Sequence, residues 1–574
     1  QAVKLLKDYY CREDESTPQE AFARAAVAFS AGDKKLAQRI YDAASNGWFM
    51  FSSPILSNAP LKGEKVKSLP ISCFLTYVPD TLEGLIDHSA ELRWLSVKGG
   101  GVGGHWSDVR SVSDVAPGPM PFLHTVDSDM TAYRQGKTRK GSYASYMDIS
   151  HPDIVEFINM RIPTGDVNRK CLNLHHAVNL SDKFMRAVGD DAVWELKDPS
   201  KEEVRDTIRA RKLWELILET RYRTGEPYLN FIDTANKALP QSQKDMGLTI
   251  KGSNLCNEIH LVTNEERSAV CCLSSLNLEK YDEWKDSTVV ADLIRFLDNV
   301  LQYFIDHAGE EIHRAKYSAM RERSLGLGAM GFHALLQSQG LPFNGLRSTS
   351  INNVAFSHIK ERAMEATKKL AQERGEAPDI HGSSKRNAHL LAIAPNASSS
   401  IICGGTSPSI EPYRANVFTH KTLSGSYQVR NQYLERLLKK KGLNVEEREQ
   451  IWKDMIIAEG SAQGIEVLSD EEKEVFKTAT EINQIYLVEH AHMRQAYVCQ
   501  SQSVNLFFTM PKATESQSVH DEYLQYVNDV HWYAMNKLKS LYYFRSDAAR
   551  NAENVNVKVQ RVRLEDVECL SCEG

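Results

Sequence analysis

The chain has 574 residues, of which 42% are apolar and 25% charged, and its net charge is -6. Those values belong to a folded globular chain and exclude a disordered, collagenous or coiled-coil protein. With no long Lys/Arg stripe, no window near the roughly 18 uninterrupted apolar residues of a membrane span, and no basic-then-apolar leader, they point to a soluble cytoplasmic protein that grips neither nucleic acid nor membrane.

The first 50 residues read as helical. Thr17-Pro18-Gln19-Glu20 supplies an N-cap, a proline at the first helical position and an early acid, and the glycine after Asn46 stops the run. Apolar residues at helical spacing predict further helices over 81–97, 151–161, 200–224, 290–318, 350–374 and 430–460. Short apolar runs at 71–78, 269–278 and 390–394 read as buried strands. Strand–helix alternation over most of the chain implies an α/β architecture. Residues 551–574 mix Asn, Glu, Val, Lys and Arg without a core-sized apolar face and predict a mobile tail.

Ten cysteines are too sparse for a disulfide scaffold, and a leaderless chain keeps its thiols mostly reduced. Cys11, Cys171, Cys403 and Cys499 read as small core residues. The other six are Cys73, Cys256, the neighbours Cys271 and Cys272, and the C-terminal pair Cys569 and Cys572. In Ser253-Asn254-Leu255-Cys256-Asn257-Glu258-Ile259, an extended backbone would put Asn254, Cys256 and Glu258 on one face. An amide, a thiol and a carboxylate together provide hydrogen bonding, a nucleophile or radical centre, and a general base. Cys271 and Cys73 both lie in strand-like runs and could pair across an interior, which spacing alone does not establish because Cα atoms more than about 7 Å apart cannot be bridged.

The terminal pair reads either as half of a zinc site or as a dithiol that exchanges with another disulfide. No second cysteine pair or nearby histidine completes a tetrahedral site, which favours the dithiol, with no metal in the chain. About 19 residues separate Arg550 from Cys569, enough for roughly 25 Å as a flexible coil and about 65 Å extended.

Two stretches have the small side chains and permissive backbone of an anion cradle. One is Pro395-Asn396-Ala397-Ser398-Ser399-Ser400, and the other is the glycine run from Gly99 to Gly104. Gln135-Gly136-Lys137-Thr138-Arg139 forms a basic loop suited to a nucleotide. Tyr542 and Tyr543, adjacent near the end of the folded part, could pass an electron and a proton to a nearby thiol.

In this order, from about residue 51 onward, these motifs resemble the large catalytic subunit of class I ribonucleotide reductase. The resemblance implies a ten-stranded α/β barrel over 51–550 with a central finger loop, behind an N-terminal helical region (1–50) and ahead of a flexible redox tail (551–574). It implies that Cys256 becomes a thiyl radical, with Glu258 as base and Asn254 orienting the ribose. Cys73 and Cys271 would reduce the 2′ position and finish as a disulfide that Cys569 and Cys572 re-reduce. Ser53, Ser72 and residues 395–400 would hold the substrate diphosphate, and Tyr542 and Tyr543 would carry the radical inward. Asp80, Gln135 and Arg139 would form a specificity site for nucleoside triphosphate effectors (ATP or dATP, dTTP, dGTP).

The same resemblance implies a homodimer, a radical-generating small subunit in place of a cofactor bound covalently in this chain, and thioredoxin or glutaredoxin as reductant. Too little sequence precedes residue 51 for the family's ATP cone, so the expectation is that this chain lacks one. Two other readings keep the same residues: an adenosylcobalamin-dependent reductase, against which the tyrosine pair argues, and a noncatalytic nucleotide-binding regulator, against which the intact thiols and Glu258 argue.

Overall fold

A computed structural model describes residues 2–65, 68–133, 141–422 and 425–546. Helices Ala2–Tyr9, Pro18–Ala28 and Lys34–Ser45 form the N-terminal layer, and the capping box at Thr17 and Glu20 is present. Lys34–Ser45 packs on the long helix Val289–His307, so the N-terminal layer shares the main core.

The centre is a ring of strands. Five parallel strands, Cys73–Tyr77, Gly101–His105, Tyr143–Asp148, His175–Leu180 and Tyr228–Phe231, pair in chain order. A second parallel series begins with Ala269–Asn277 and Leu325–Met330. It continues through bridges from Leu327 to Leu391 and from Ile393 to Gln502, and through Tyr542 N–H on Val504 O at 2.8 Å. The two halves meet antiparallel at both seams, Cys73 opposite Cys271 on one side and Ser540 opposite Asn230 on the other. That gives the expected ten-stranded barrel. The parallel strands are buried on both faces, by the connecting helices outside and by the loop that fills the barrel inside, which is why runs such as 73–77 and 269–277 are mostly apolar.

Several expected helices are cut by local chemistry. The one at 200–224 begins only at Ala210, because Val193–Lys197 and Val204–Arg209 pair as a hairpin whose outward residues are exposed. The one at 290–318 is two helices, Val289–His307 and His313–Glu322, broken where Ala308 turns extended. The one at 430–460 is Gln432–Lys440 and Val445–Ile457, separated by the positive-φ Gly442. At 151–161 only Ile154–Ile158 is helical.

The glycine run is not an anion cradle. Gly99 is the left-handed C-cap of helix Leu82–Lys98, and Gly101–His105 is a barrel strand. Its glycines are there for close packing: a Cβ on Gly103 would overlap the Ser253 carbonyl, and one on Gly104 would overlap the Tyr143 hydroxyl. Among the described residues no helix is long and apolar enough to cross a membrane.

Candidate active site

The segment after Lys251 enters the barrel and fills its interior, and Asn254, Cys256, Asn257 and Glu258 are all at most 1% exposed. It is not extended. Residues 254–257 form a turn, closed by Asn257 N–H on Asn254 O at 3.3 Å, with Asn257 left-handed at φ 64°. Asparagine is among the residues that tolerate this conformation. The Asn254 side chain stiffens the turn: its Oδ1 accepts from the backbone N–H of Glu258 at 3.0 Å and of Ile259 at 3.1 Å. Asn257 Nδ2 reaches Leu229 O and Leu541 O, and Tyr146 OH donates to Asn254 O at 2.6 Å, so the tip is tied to three barrel strands.

The loop divides the interior. On one side Cys73 and Cys271 pack with Leu75, Ile259, Leu261, Ala392 and Ala394. The two cysteines are direct cross-strand partners in an antiparallel pair, where Cα atoms sit about 4.5–5.5 Å apart, within disulfide range. All eight cysteines among the described residues are free thiols. Cys73 Sγ receives Asn254 Nδ2 at 3.2 Å and lies 3.6 Å from Ser72 Oγ, and Cys271 Sγ receives Gln500 Nε2 at 3.6 Å. Gly326 on the next strand leaves room for the Cys271 sulfur. Cys272 points the other way, to Leu297 O and the outer helical core, so the pleat settles which neighbour faces the interior.

Burial, reinforced by Glu258 and Cys256, pushes the Cys73 thiol well up, and burial with Cys272 and Cys73 does the same to Cys271. Both are protonated near neutral pH and are poised to give up hydrogen. Burial also raises Glu258, to about 7, against the lowering effect of its bonds from Asn254 and Ser503. Ser503 Oγ lies 3.2 Å from Glu258 Oε2 and donates to Cys256 O at 2.6 Å, while Glu258 Oε1 has no hydrogen-bond partner. A buried carboxyl with a vacant oxygen and a value near neutrality is suited to proton transfer with a bound ligand.

On the other side Cys256 clusters with Tyr146, Tyr228 and Tyr542, and Tyr543 packs against them. The Tyr542 and Tyr543 rings are 4.2 Å apart, and Tyr228 lies 4.7 Å from Tyr542 and 5.1 Å from Tyr543.

Asn396, left-handed at φ 58°, caps the short helix Ala397–Ile402 and is braced by Ser275 Oγ on its Oδ1 at 2.7 Å. Ser398, Ser399 and Ser400 are buried; Ser400 Oγ bonds Ala397 O, whereas Ser398 Oγ has no partner. Ser53 Oγ bonds Tyr10 OH at 2.8 Å, and the buried hydroxyls of Ser52 and Ser274 are also partnerless. Asp80 precedes helix Leu82–Lys98 and is held bidentately by Arg110 Nε at 2.9 and 3.0 Å. Gln135, Arg139, Cys569 and Cys572 lie outside the described residues.

Sequence reading missed Tyr228, Gln500, Ser503 and Asn257. The signal for two of them was present in Gln500-Ser501-Gln502-Ser503, a run of polar residues that are all buried. Such a run needs partners, and here they are the thiol and the carboxyl of the site.

The chain as a whole is similar to known proteins. The family model for the barrel domain of ribonucleotide reductase matches residues 71–385 and 379–544, and that for its all-alpha domain matches residues 1–64. A Frog virus 3 protein provisionally named as a ribonucleoside-diphosphate reductase large subunit is 50% identical over the whole of this chain and 98% of its own length. The ribonucleoside-diphosphate reductase large subunit of Invertebrate iridescent virus 3 is 42% identical, again across this entire chain and 98% of its own. Among solved structures, the class Id ribonucleotide reductase alpha subunit of Actinobacillus ureae superposes with a TM-score of 0.81 at 33% identity, covering 95% of this chain and 96% of that one.

Proposed function

This chain belongs to the ribonucleotide reductase large-subunit family, which reduces ribonucleoside diphosphates to deoxyribonucleotides, and on that premise we propose the residues that do the work. The observation that carries the assignment is the opposition of Cys73 and Cys271 beneath a loop bearing Cys256 and Glu258. A Cys256 thiyl radical takes the hydrogen atom from the ribose 3′ carbon. The Glu258 carboxylate accepts the 3′-hydroxyl proton, and a proton from Cys73 or Cys271 lets the 2′-hydroxyl leave as water. The pair then supplies two electrons and becomes a disulfide, and Cys256 returns its hydrogen to the 3′ carbon. Asn254 orients the hydroxyls. Residues 395–400 with Ser53 and Ser72 hold the diphosphate, a role that suits the partnerless hydroxyl of Ser398.

As a class I large subunit the chain works with a radical-bearing small subunit. Tyr542 and Tyr543 pass the radical by hydrogen-atom exchange: Tyr542 gives its hydrogen to a Tyr543 phenoxyl and then takes one from the Cys256 thiol. The domains follow as 1–50, 51–550 and a tail at 551–574, whose Cys569 and Cys572 reopen the disulfide and are themselves reduced by thioredoxin or glutaredoxin. Helix Leu82–Lys98 exposes Leu82, Ile86, Trp94 and Val97, an apolar face suited to a second copy of the chain. In such a homodimer Asp80, Gln135 and Arg139 read nucleoside triphosphate effectors. The location we propose is the cytoplasm.

The test is CDP reduction with dithiothreitol and an effector, run with the small subunit and separately with adenosylcobalamin. Product with the small subunit alone is expected. Product with cobalamin alone would overturn the radical path while leaving the thiol chemistry standing.

A further inference from the structure

The proposed chemistry leaves unused a cluster packed against the tyrosine pair. Glu226, 1% exposed, sits among Arg161, His175 and His176. Its Oε1 accepts from Arg161 NH1 at 2.5 Å and faces His175 Nδ1 at 2.5 Å. Its Oε2 accepts the His176 backbone N–H at 3.1 Å and faces His176 Nδ1 at 3.2 Å. Burial alone would raise this carboxyl, but Arg161 and His175 outweigh it and hold Glu226 well below the usual carboxylate range. An ionised oxygen this close to His175 Nδ1 calls for a proton on that nitrogen, which fixes the tautomer and the ring plane.

The same Nδ1 lies 3.1 Å from Arg161 NH1 and 3.3 Å from the Tyr543 hydroxyl oxygen. Its ring is stacked on Tyr228 at 6.1 Å and 17° and meets Tyr543 edge-on, and Arg545 covers Tyr543 with its guanidinium 4.1 Å from the ring centre. Tyr543 is thus clamped by ring contacts, and its oxygen faces a ring nitrogen whose single proton the buried Glu226 carboxylate holds.

We propose that His175 is a positioning residue for radical transfer, in which its single Nδ1–H, held by Glu226, is shared with the Tyr543 oxygen as the longer arm of a three-centre hydrogen bond that persists when that oxygen becomes a phenoxyl. In the inward step Tyr543 regains a hydrogen atom from Tyr542, so the His175 proton stays on its nitrogen throughout and only the bond length changes. The inference rests on the reading of Tyr542 and Tyr543 as the radical path. It gives Glu226 and Arg161 a function beyond packing.

The experiment uses the full chain assembled with its small subunit, with Tyr543→3-aminotyrosine as the radical trap, read by high-field EPR and deuterium ENDOR after exchange into D2O. The expected trapped radical shows an exchangeable deuteron lying on the oxygen from a neighbouring donor. His175→Phe removes that deuteron and raises the largest g value, His175→Gln restores both, and in the untrapped enzyme turnover falls about tenfold in the first variant and recovers in the second. An identical spectrum in the parent and in His175→Phe would overturn the role of His175. A Tyr543→Phe enzyme that turns over at the parent rate would instead overturn the radical path itself, so the two failures are distinguishable. Should His175→Phe not fold, His175→Asn, which shortens the side chain, is required to lose the deuteron in its place.

Discussion

The two chambers on either side of the finger loop are built from different materials. The thiol chamber is lined by aliphatic side chains and holds its sulfurs with neutral amide donors, Asn254 to Cys73 and Gln500 to Cys271. The tyrosine chamber is lined by phenols and bordered by ions, with Arg161, Glu226 and Arg545 around Tyr543. An apolar surround keeps two thiols protonated, whereas a charged border fixes the orientation of a ring that, on the proposed path, passes an electron without being displaced. Cys256, on the loop between them, packs with the phenols and lies near enough to Cys73 to help push that thiol up.

If the chambers divide the work this way, removing the residue that joins them has the largest effect. Cys256→Ser is expected to lower deoxynucleotide formation by about 10⁴-fold or more while substrate binding by equilibrium dialysis stays within twofold. Next comes a contrast within the thiol chamber. Cys271→Ser stops multiple turnover, whereas Cys272→Ser, whose sulfur faces the helical core, stays within about twofold of the parent rate and costs about 1 kcal/mol or less in a urea melt. Equal loss in both would break the division between inner and outer faces.

Glu258→Gln is expected to cost about 10²–10³-fold in kcat, and the parent kcat/KM should rise with pH through an inflection near 7, where the carboxyl ionises. A carboxyl raised from its ordinary 4.5 to about 7 is favoured protonated in the fold, so its stability cost grows as pH rises from about 4.5 to 7 and is full above that. The amide removes the cost, and the variant should be more stable by about 3 kcal/mol at pH 8 in denaturant titrations, the opposite sign to its activity. The smallest effect belongs to the support under the loop. Gly103→Ala pushes on the Ser253 carbonyl and is expected to destabilise by about 1–3 kcal/mol and to lower kcat more than it raises KM.

Part of the fold was legible because the runs at 71–78, 269–278 and 390–394 are apolar enough to announce buried strands, and because a cap such as Thr17 marks a helix start, whereas Tyr143–Asp148, His175–Leu180 and Tyr228–Phe231 carry inward polar residues that hid them. What misled was local pattern answering to distant contact. Gly99 to Gly104 looks like a ligand-binding loop until the finger loop is seen pressing on Gly103. The segment 253–259 suggests alternation, but its backbone is a turn that Asn254 and Asn257 hold, and no period-2 argument foresees a left-handed asparagine there. The hairpin that replaces the start of the 200–224 helix is exposed on one face and carries a polar sequence that suits either state. His175 and Glu226 were invisible because they lie about 50 residues apart in sequence and meet only across neighbouring barrel strands.

Cys73 and Cys271 face one another across a seam, where the first strand of one half of the barrel circuit meets the first strand of the other half. On the proposed chemistry each reduction event therefore staples the barrel across a loop of about 200 residues, a closure that in a chain-entropy picture is worth about 5 kcal/mol against unfolding. The enzyme would alternate, once per product, between a ring held shut by backbone pairing alone and a ring welded at its join, and its resistance to heat or protease would report how far through the catalytic cycle the population stands.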